Sequence, residues 1–194
     1  MDSNTIIIAF GANMTSTLGS PSDAIREAFK RLCVASFRPV AMSRFYRSAA
    51  YPAGSGPDFV NACGLFRASG SPTDILYLLH EIESGLGRVR HGRWMPRVID
   101  IDLIDCGNII HPSEVTLRHW RDLPFEEQQK ATPEQLILPH PRLEDRGFVL
   151  IPMREIVPNW VHPLTGQTLE QLVEALPESQ IAELSPLVAD DLRE

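Results

Sequence analysis

Arg97-Val98-Ile99-Asp100-Ile101-Asp102-Leu103-Ile104-Asp105 decides how this chain folds. Ile99, Ile101 and Leu103 alternate with Asp100 and Asp102, and the run is closed by Cys106-Gly107-Asn108. A period of two places one row of side chains in a core and the carboxylates on the other side, so residues 97–105 read as a strand. Upstream, Gly85 to Pro96 is rich in Gly and Arg and reads as a loop. It follows a helix announced by Ser71-Pro72-Thr73-Asp74, whose inner stripe is Ile75, Leu78, Leu79 and Ile82. Phe59 to Arg67 reads as a strand, as does Phe37 to Ser48, with the Gly- and Pro-rich Tyr51 to Pro57 as the loop between them. Before these come a helix capped by Ser20 and started by Pro21, and a short β-branched strand from Thr5 to Phe10.

The resulting order, βαββαβ, predicts an α+β fold of the ferredoxin-like kind, a sheet with helices packed on one face. Two later amphipathic segments, Phe148 to Ile156 and Leu169 to Leu176, are placed to cover the other face, which makes a three-layer α-β-α arrangement. Length favours a single domain over residues 1–194. His111 to Leu136, broken by Pro112, Pro124 and Pro133, reads as a surface excursion, and a loosely held acidic tail is expected from about residue 187.

Composition narrows the function. A formal charge of −7 and a pI near 5.4 oppose non-specific binding to nucleic acid or to an anionic membrane. An anionic ligand must therefore meet a local cluster of positive charge. Lys30 and Lys130 are the only lysines, so that charge is arginine, which grips phosphate through two parallel hydrogen bonds where lysine offers a point charge. Cys33, Cys63 and Cys106 are odd in number and lack C-x-x-C spacing, which reads as buried reduced thiols. The N-terminal Met1 to Thr5 carries no positive segment, and Ile6 to Phe10 is too short for a signal core or a membrane span, so a cytoplasmic protein is expected.

Asp100 and Asp102 are the first chemical candidates. Carboxylates two apart on a strand start roughly 6.5 Å apart and can converge on divalent ions, which need few protein ligands when substrate phosphates complete the shell. The alternative is that both acids face solvent at a sheet edge and pair with arginines. Immediately upstream, Gly87-Arg88-Val89-Arg90-His91-Gly92-Arg93-Trp94-Met95-Pro96-Arg97 brings four arginines to the same place. Metal on one side of a polyphosphate and guanidinium on the other is the arrangement phosphoryl transfer requires. No G-x-x-x-x-G-K-[ST] string and no serine or cysteine nucleophile motif is present.

With these motifs the sequence closely resembles the 6-hydroxymethyl-7,8-dihydropterin pyrophosphokinases of folate synthesis, from Ile6 to about Leu176. The likeness rests on Ala9-Phe10-Gly11-Ala12-Asn13, Ser43-Arg44-Phe45-Tyr46-Arg47, Pro57-Asp58-Phe59-Val60-Asn61-Ala62, Glu83 through Arg90, Arg93 through Asp102, Pro139-His140-Pro141-Arg142 and Arg146-Gly147-Phe148-Val149-Leu150. The resemblance implies transfer of the terminal diphosphate of ATP to the pterin hydroxymethyl group, whose oxygen attacks the β-phosphorus as AMP leaves. It implies that Asp100 and Asp102 hold two magnesium ions and that Arg88 and Arg97 stabilise the transferring diphosphate. Arg90 and Trp94 would sit on a mobile loop closing over ATP, and Glu83, His140 and Arg146 would line the nucleotide site. Phe59 and Phe148 would sandwich the pterin, Asn61 would read its polar edge, and Ser48 and Tyr51 would belong to the pterin side.

Four departures stand out: Met95 replaces the family's usual Gly, Ala12 its common Ser, Ser48-Ala49 its usual Thr-Pro, and the His111 to Leu136 excursion is longer than the family's. A monomer acting on small molecules alone is expected. Two competing readings are a two-metal nuclease or phosphatase, which leaves Phe59, Asn61 and Phe148 unexplained, and a non-catalytic RNA-binding module, which lacks the RNP aromatic string.

Overall fold

The computed structural model describes residues 4–35, 37–50, 54, 56–88, 97–124, 126–127 and 131–188. Strand β1 spans Asn4–Ala12 and leads into helix α1, Pro21–Val34. Strands β2, β3 and β4 cover Arg38–Met42, Tyr46–Ser48 and Phe59–Ala68. Helix α2, Pro72–Gly85, precedes β5, Asp100–Cys106. The chain then forms α3 (Glu114–Arg121), α4 (Gly147–Ile156), α5 (Leu169–Glu174), α6 (Glu178–Ala182) and the short β6 (Ser185–Pro186).

Local chemistry accounts for the helix starts. Ser20 accepts the Asp23 amide while the Asp23 carboxylate accepts the Ser20 amide, and Ser71 and Asp74 repeat this reciprocal cap. The sheet order is β5-β1-β4-β3-β6, with β2 also paired to β4, and the pairs are antiparallel. Taking β2 and β3 as one interrupted strand, this is the ferredoxin-like order that βαββαβ predicts.

Alternation along β1 feeds two cores. Ile6, Ile8 and Phe10 join Ile25, Leu32, Leu79 and Ile101 beneath α1 and α2. Ile7 and Ala9 join Cys63, Leu65, Ile104 and the inner faces of α4 and α5. The architecture is thus α-β-α, as the late amphipathic segments indicate.

Several strand boundaries differ from the sequence reading. Phe37 to Ser48 is not one strand, because the Arg44 amide turns from the ladder to Glu155 Oε2 of α4 at 2.8 Å, and Ser43 Oγ accepts the Cys63 amide at 2.9 Å. The fourth predicted strand begins at Asp100 rather than Arg97, because the Arg97 amide bonds to Asn13 Oδ1. β1 runs on past Phe10 to Ala12, paired on both sides as far as Gly11. A register shift between Ile7 and Ile8 pairs Ile7 with Asp105 and Ile8 with Leu103, which delivers both Ile104 and Asp105 to the second core. Cys63 and Cys106 are buried as expected, whereas Cys33 is half-buried; all are free thiols.

The excursion after β5 is closed at its base, where His111 and Leu138 exchange backbone hydrogen bonds of 3.0 and 2.9 Å. Toward the C-terminus, the Leu187 amide donates to Phe45 O at 2.8 Å, so the chain is bonded to the sheet at the point where the loose tail is expected. Among the described residues no helix is long and apolar enough to cross a membrane.

Candidate active site

Antiparallel pairing sets the floor of the site. Gly11 on β1 lies opposite Asn61 on β4 and opposite Asp100 on β5, so the three positions form one row across the sheet. Ala9 repeats the pattern one step along, between Cys63 and Asp102. Paired residues point to the same face, here the one covered further along by α4 and α5. The row is open at its centre. A Cβ on Gly11 would lie 3.6 Å from Asn61 Oδ1 and 3.9 Å from both Asp100 Cβ and Phe59 Cδ1. Neighbouring strands are about 4.8 Å apart, so Asn61 and Asp100 flank a bare strip roughly 10 Å wide.

On the β4 side, Asn61 is 4% exposed and donates Nδ2–H to Ser48 Oγ at 2.9 Å. That leaves its Oδ1 facing the Gly11 strip. Phe59 is half-buried on the same face, and Phe148 is 39% exposed at the first turn of α4. Asn13, to which sequence reasoning assigned no role, joins the two ends of the row. Its Nδ2–H donates to Pro57 O at 3.1 Å, and its Oδ1 and amide bond the backbone of Arg97 at 2.8 and 3.1 Å. The available signal was an Asn directly after a strand and its Gly-Ala turn, a position where the amide commonly binds backbone.

On the β5 side, Asp100 is gripped from two directions. Arg88 Nη1 lies 2.5 Å from Asp100 Oδ1 and Arg97 Nη1 lies 2.6 Å from Oδ2. Arg88 also donates to Glu83 Oε1, which accepts the Ile101 amide at 2.7 Å. Glu83 is 1% exposed, so its carboxylate points at Arg88 and the β5 backbone rather than into a cleft. In the ligand-free chain Glu83 thus anchors Arg88 from beneath. Asp102 meets Arg146 at 3.1 Å, and the Arg146 guanidinium carbon lies 5.7 Å from the centre of the Phe148 ring.

Beside these charges lies a cleft of about 520 Å³, within the range of small-molecule sites. Arg97, Asp102 and Arg146 line it together with Leu76, Trp120 and Leu136. His140 also borders it. The His140 amide bonds Ile104 O at 2.8 Å, and its Nδ1 accepts the Arg142 amide at 3.1 Å. Burial, reinforced by Arg146 and Arg142, pushes its pKa well below the ordinary value. The ring is therefore neutral near pH 7, and with Nδ1 occupied as acceptor the proton sits on Nε2.

The structure thus brings Arg88, Arg97, Asp100, Asp102, His140 and Arg146 to one region, with Ser48, Phe59 and Asn61 on the adjoining strands and Phe148 beside Arg146. Tyr51, Arg90, Trp94 and Met95 lie outside the described residues. Among the described residues no cluster of three or more His, Cys, Asp or Glu side chains is placed to hold a metal ion. An ion at Asp100 and Asp102 would draw the rest of its shell from water and phosphate oxygens, which suits magnesium.

Paired carboxylates within guanidinium reach, next to a cleft of this size, define the chemistry of a phosphoryl-transferring enzyme. The sequence model of the 7,8-dihydro-6-hydroxymethylpterin-pyrophosphokinase family matches residues 7–158, and the chain belongs to that family. A Synechocystis 2-amino-4-hydroxy-6-hydroxymethyldihydropteridine pyrophosphokinase is 34% identical over 180 residues, covering 93% of this chain and 80% of that protein. The Haemophilus influenzae protein of the same name is 30% identical over 183 residues, covering 94% of this chain and 99% of its own. The solved Plasmodium falciparum HPPK-DHPS chain superposes with a TM-score of 0.61 at 12% identity and confirms the fold. That match covers 89% of this chain, which spans 44% of the longer Plasmodium chain.

Proposed function

We propose that the strip over Gly11 seats the pterin and that Asp100 and Asp102, the first and third residues of β5, mark where its hydroxymethyl group meets the nucleotide. The chain is a pyrophosphokinase that transfers pyrophosphate to hydroxymethyldihydropterin in folate synthesis, with ATP as donor and AMP as by-product. The observation that carries the site assignment is the Asn61–Gly11–Asp100 row. It puts an amide that can read a heterocycle's edge and a carboxylate that can hold a metal on one face, with no side chain between them.

In this reading Asn61, preset by Ser48, presents its carbonyl to the pterin, while Phe59 and Phe148 pack against the ring faces. Tyr51 belongs to the same side by resemblance alone. Asp100 and Asp102 would hold two magnesium ions, which when bound supply charge neutralisation and alignment to the polyphosphate. Arg88 and Arg97 are each paired with Asp100 in the ligand-free state, and exchange that carboxylate for phosphate oxygens on nucleotide binding. Glu83 keeps Arg88 in place during the exchange. His140 offers Nε2–H to a phosphate oxygen, and Arg146 moves from Asp102 to the nucleotide. Arg90 and Trp94 complete the nucleotide side. The whole of residues 1–194 serves as one pyrophosphokinase domain, with small-molecule substrates only. A monomer in the cytoplasm, with no nucleic-acid or membrane partner, suits that role and the net charge.

The test is AMP release from ATP and 6-hydroxymethyl-7,8-dihydropterin, followed by chromatography. Asp100→Ala and Asp102→Ala should each lower turnover by roughly a hundredfold or more, the scale of charge stabilisation at such sites. Both variants should still bind a pterin analogue. Near-normal AMP release by either one refutes the assignment.

A further inference from the structure

The triphosphate of the donor accounts for only part of the cleft. Arg97, Asp102, His140 and Arg146 suit phosphate and its counter-ions, whereas Leu76 and Leu136 offer nothing to an anion and Trp120 presents mainly a flat aromatic surface with a single N–H donor at its edge. Trp120 comes from α3, inside the excursion between β5 and His140.

Its position is built rather than incidental. The base of the excursion is pinned by the His111–Leu138 bridge. Helix α3 is capped by Ser113, whose Oγ accepts the Thr116 amide at 3.2 Å, and is seated by Leu117, which is fully buried. The residue after Trp120, Arg121, grips both oxygens of Glu144 at 2.9 Å, and Glu144 stands next to the loop that leads into α4. The fork–fork pairing fixes α3 in rotation as well as position. Trp120 is therefore held half-buried in the cleft wall, with the His119 ring edge-on at 5.9 Å.

We propose that Trp120 is a specificity-determining residue that packs its indole against the base of the donor nucleotide, so that the excursion serves as the nucleoside wall of the cleft. This rests on the cleft being the nucleotide site, as read above. An indole face favours a flat heterocycle and favours purine over pyrimidine by contact area, whereas a phosphate chain gains nothing from it.

Two magnesium-loaded probes separate the claims when titrated by calorimetry into the full chain: α,β-methylene-ATP, which carries the base, and inorganic tripolyphosphate, which does not. Trp120→Ala should lower affinity for α,β-methylene-ATP by roughly tenfold to a hundredfold, the range of base–aromatic stacking, and leave tripolyphosphate unchanged. Trp120→Phe should keep most of the affinity. Trp120→Leu, which keeps apolar volume and packing without an aromatic face, should lose most of it. The proposal is overturned if Trp120→Ala binds both probes like the parent protein, if it loses both in parallel, or if Trp120→Leu behaves like Trp120→Phe. Turnover of the Asp102→Ala variant judges the reaction assignment separately, because the titrations read nucleotide binding and not transfer.

Discussion

Gly11→Ala separates folding from function at a single methyl group. The added Cβ would meet Asn61 Oδ1 at 3.6 Å and Asp100 Cβ and Phe59 Cδ1 at 3.9 Å, all ordinary contact distances. The backbone there is regular strand, paired on both sides, so alanine meets no conformational penalty. Glycine inside a strand costs about 0.5–1 kcal/mol relative to alanine, and the variant should therefore melt at or slightly above the parent temperature. The methyl would stand in the middle of the strip on which the pterin ring is proposed to lie. Overfilling a packed site costs about 1–3 kcal/mol, which is roughly a fivefold to hundredfold loss of pterin affinity. Fluorescence titration with a pterin analogue, run beside a thermal melt and a titration with α,β-methylene-ATP, reads the three quantities separately. If the variant melts normally and binds the pterin analogue as the parent does, the ring does not lie over β1 and the Asn61–Gly11–Asp100 row is not its seat.

Asp105 is buried in the second core, and burial raises its pKa to about 6 against an unfolded value of 3.8. The native state thus holds the proton more tightly, so stability falls as pH rises from about 4 to 6, by at most about 3 kcal/mol. Asp105→Asn should accordingly raise the urea midpoint at pH 7.5 and not at pH 4; an equal change at both values refutes the buried-charge account. Glu155 accepts from Tyr46 Oη at 2.5 Å and from the Arg44 amide and Nε at 2.8 and 2.7 Å, so Glu155→Gln should cost about 1–3 kcal/mol in a denaturant melt, and Tyr46→Phe less. Because burial and two arginines hold the His140 pKa well below the ordinary value, NMR of its ring should show no titration between pH 6 and 8, and protonation in that window would contradict the neutral donor role.

What the sequence reveals here depends on how locally each feature is encoded. Ile99, Ile101 and Leu103 announce their strand, and Ser20-Pro21 and Ser71-Pro72 announce their helices, because periodicity and capping act over a few residues. The break between β2 and β3 was hidden, because its cause is Glu155, more than a hundred residues away, taking the Arg44 amide. Asp105 read as the end of an alternating strand, whereas a register shift against Ile7 and Ile8 turns it into the second core. Of the candidate site, Asp100, Asp102 and the arginines were legible as neighbours in the chain. Their meeting with Asn61 across Gly11 depends on strand order and register, which spacing along the chain does not encode. Glu83 was legible as a site residue but not as a buried one, since only the β5 backbone donating to it reveals the inward orientation.

The choice of arginine over lysine in this chain follows from the same arrangement. In the proposed exchange Arg88 keeps one partner while it releases another: Glu83 is buried and receives the Ile101 amide, whereas the Asp100 side chain is 24% exposed and also shared with Arg97. Removing an ion from a buried partner leaves a stranded charge and is costly, while exchanging an accessible carboxylate for a phosphate is nearly neutral. A guanidinium, with several donors in a rigid plane, can hold the buried acid and swing its remaining valence to the ligand; an ammonium on a flexible stem lacks that fixed geometry. Under the proposed exchange, Asp100 would in turn be freed for a cation as the arginines find the anion. On the proposed assignment, each opposite charge in the ligand-free site would stand in for one that the substrate complex brings, so that a net acidic protein could keep a polyphosphate site formed before its ligand arrives.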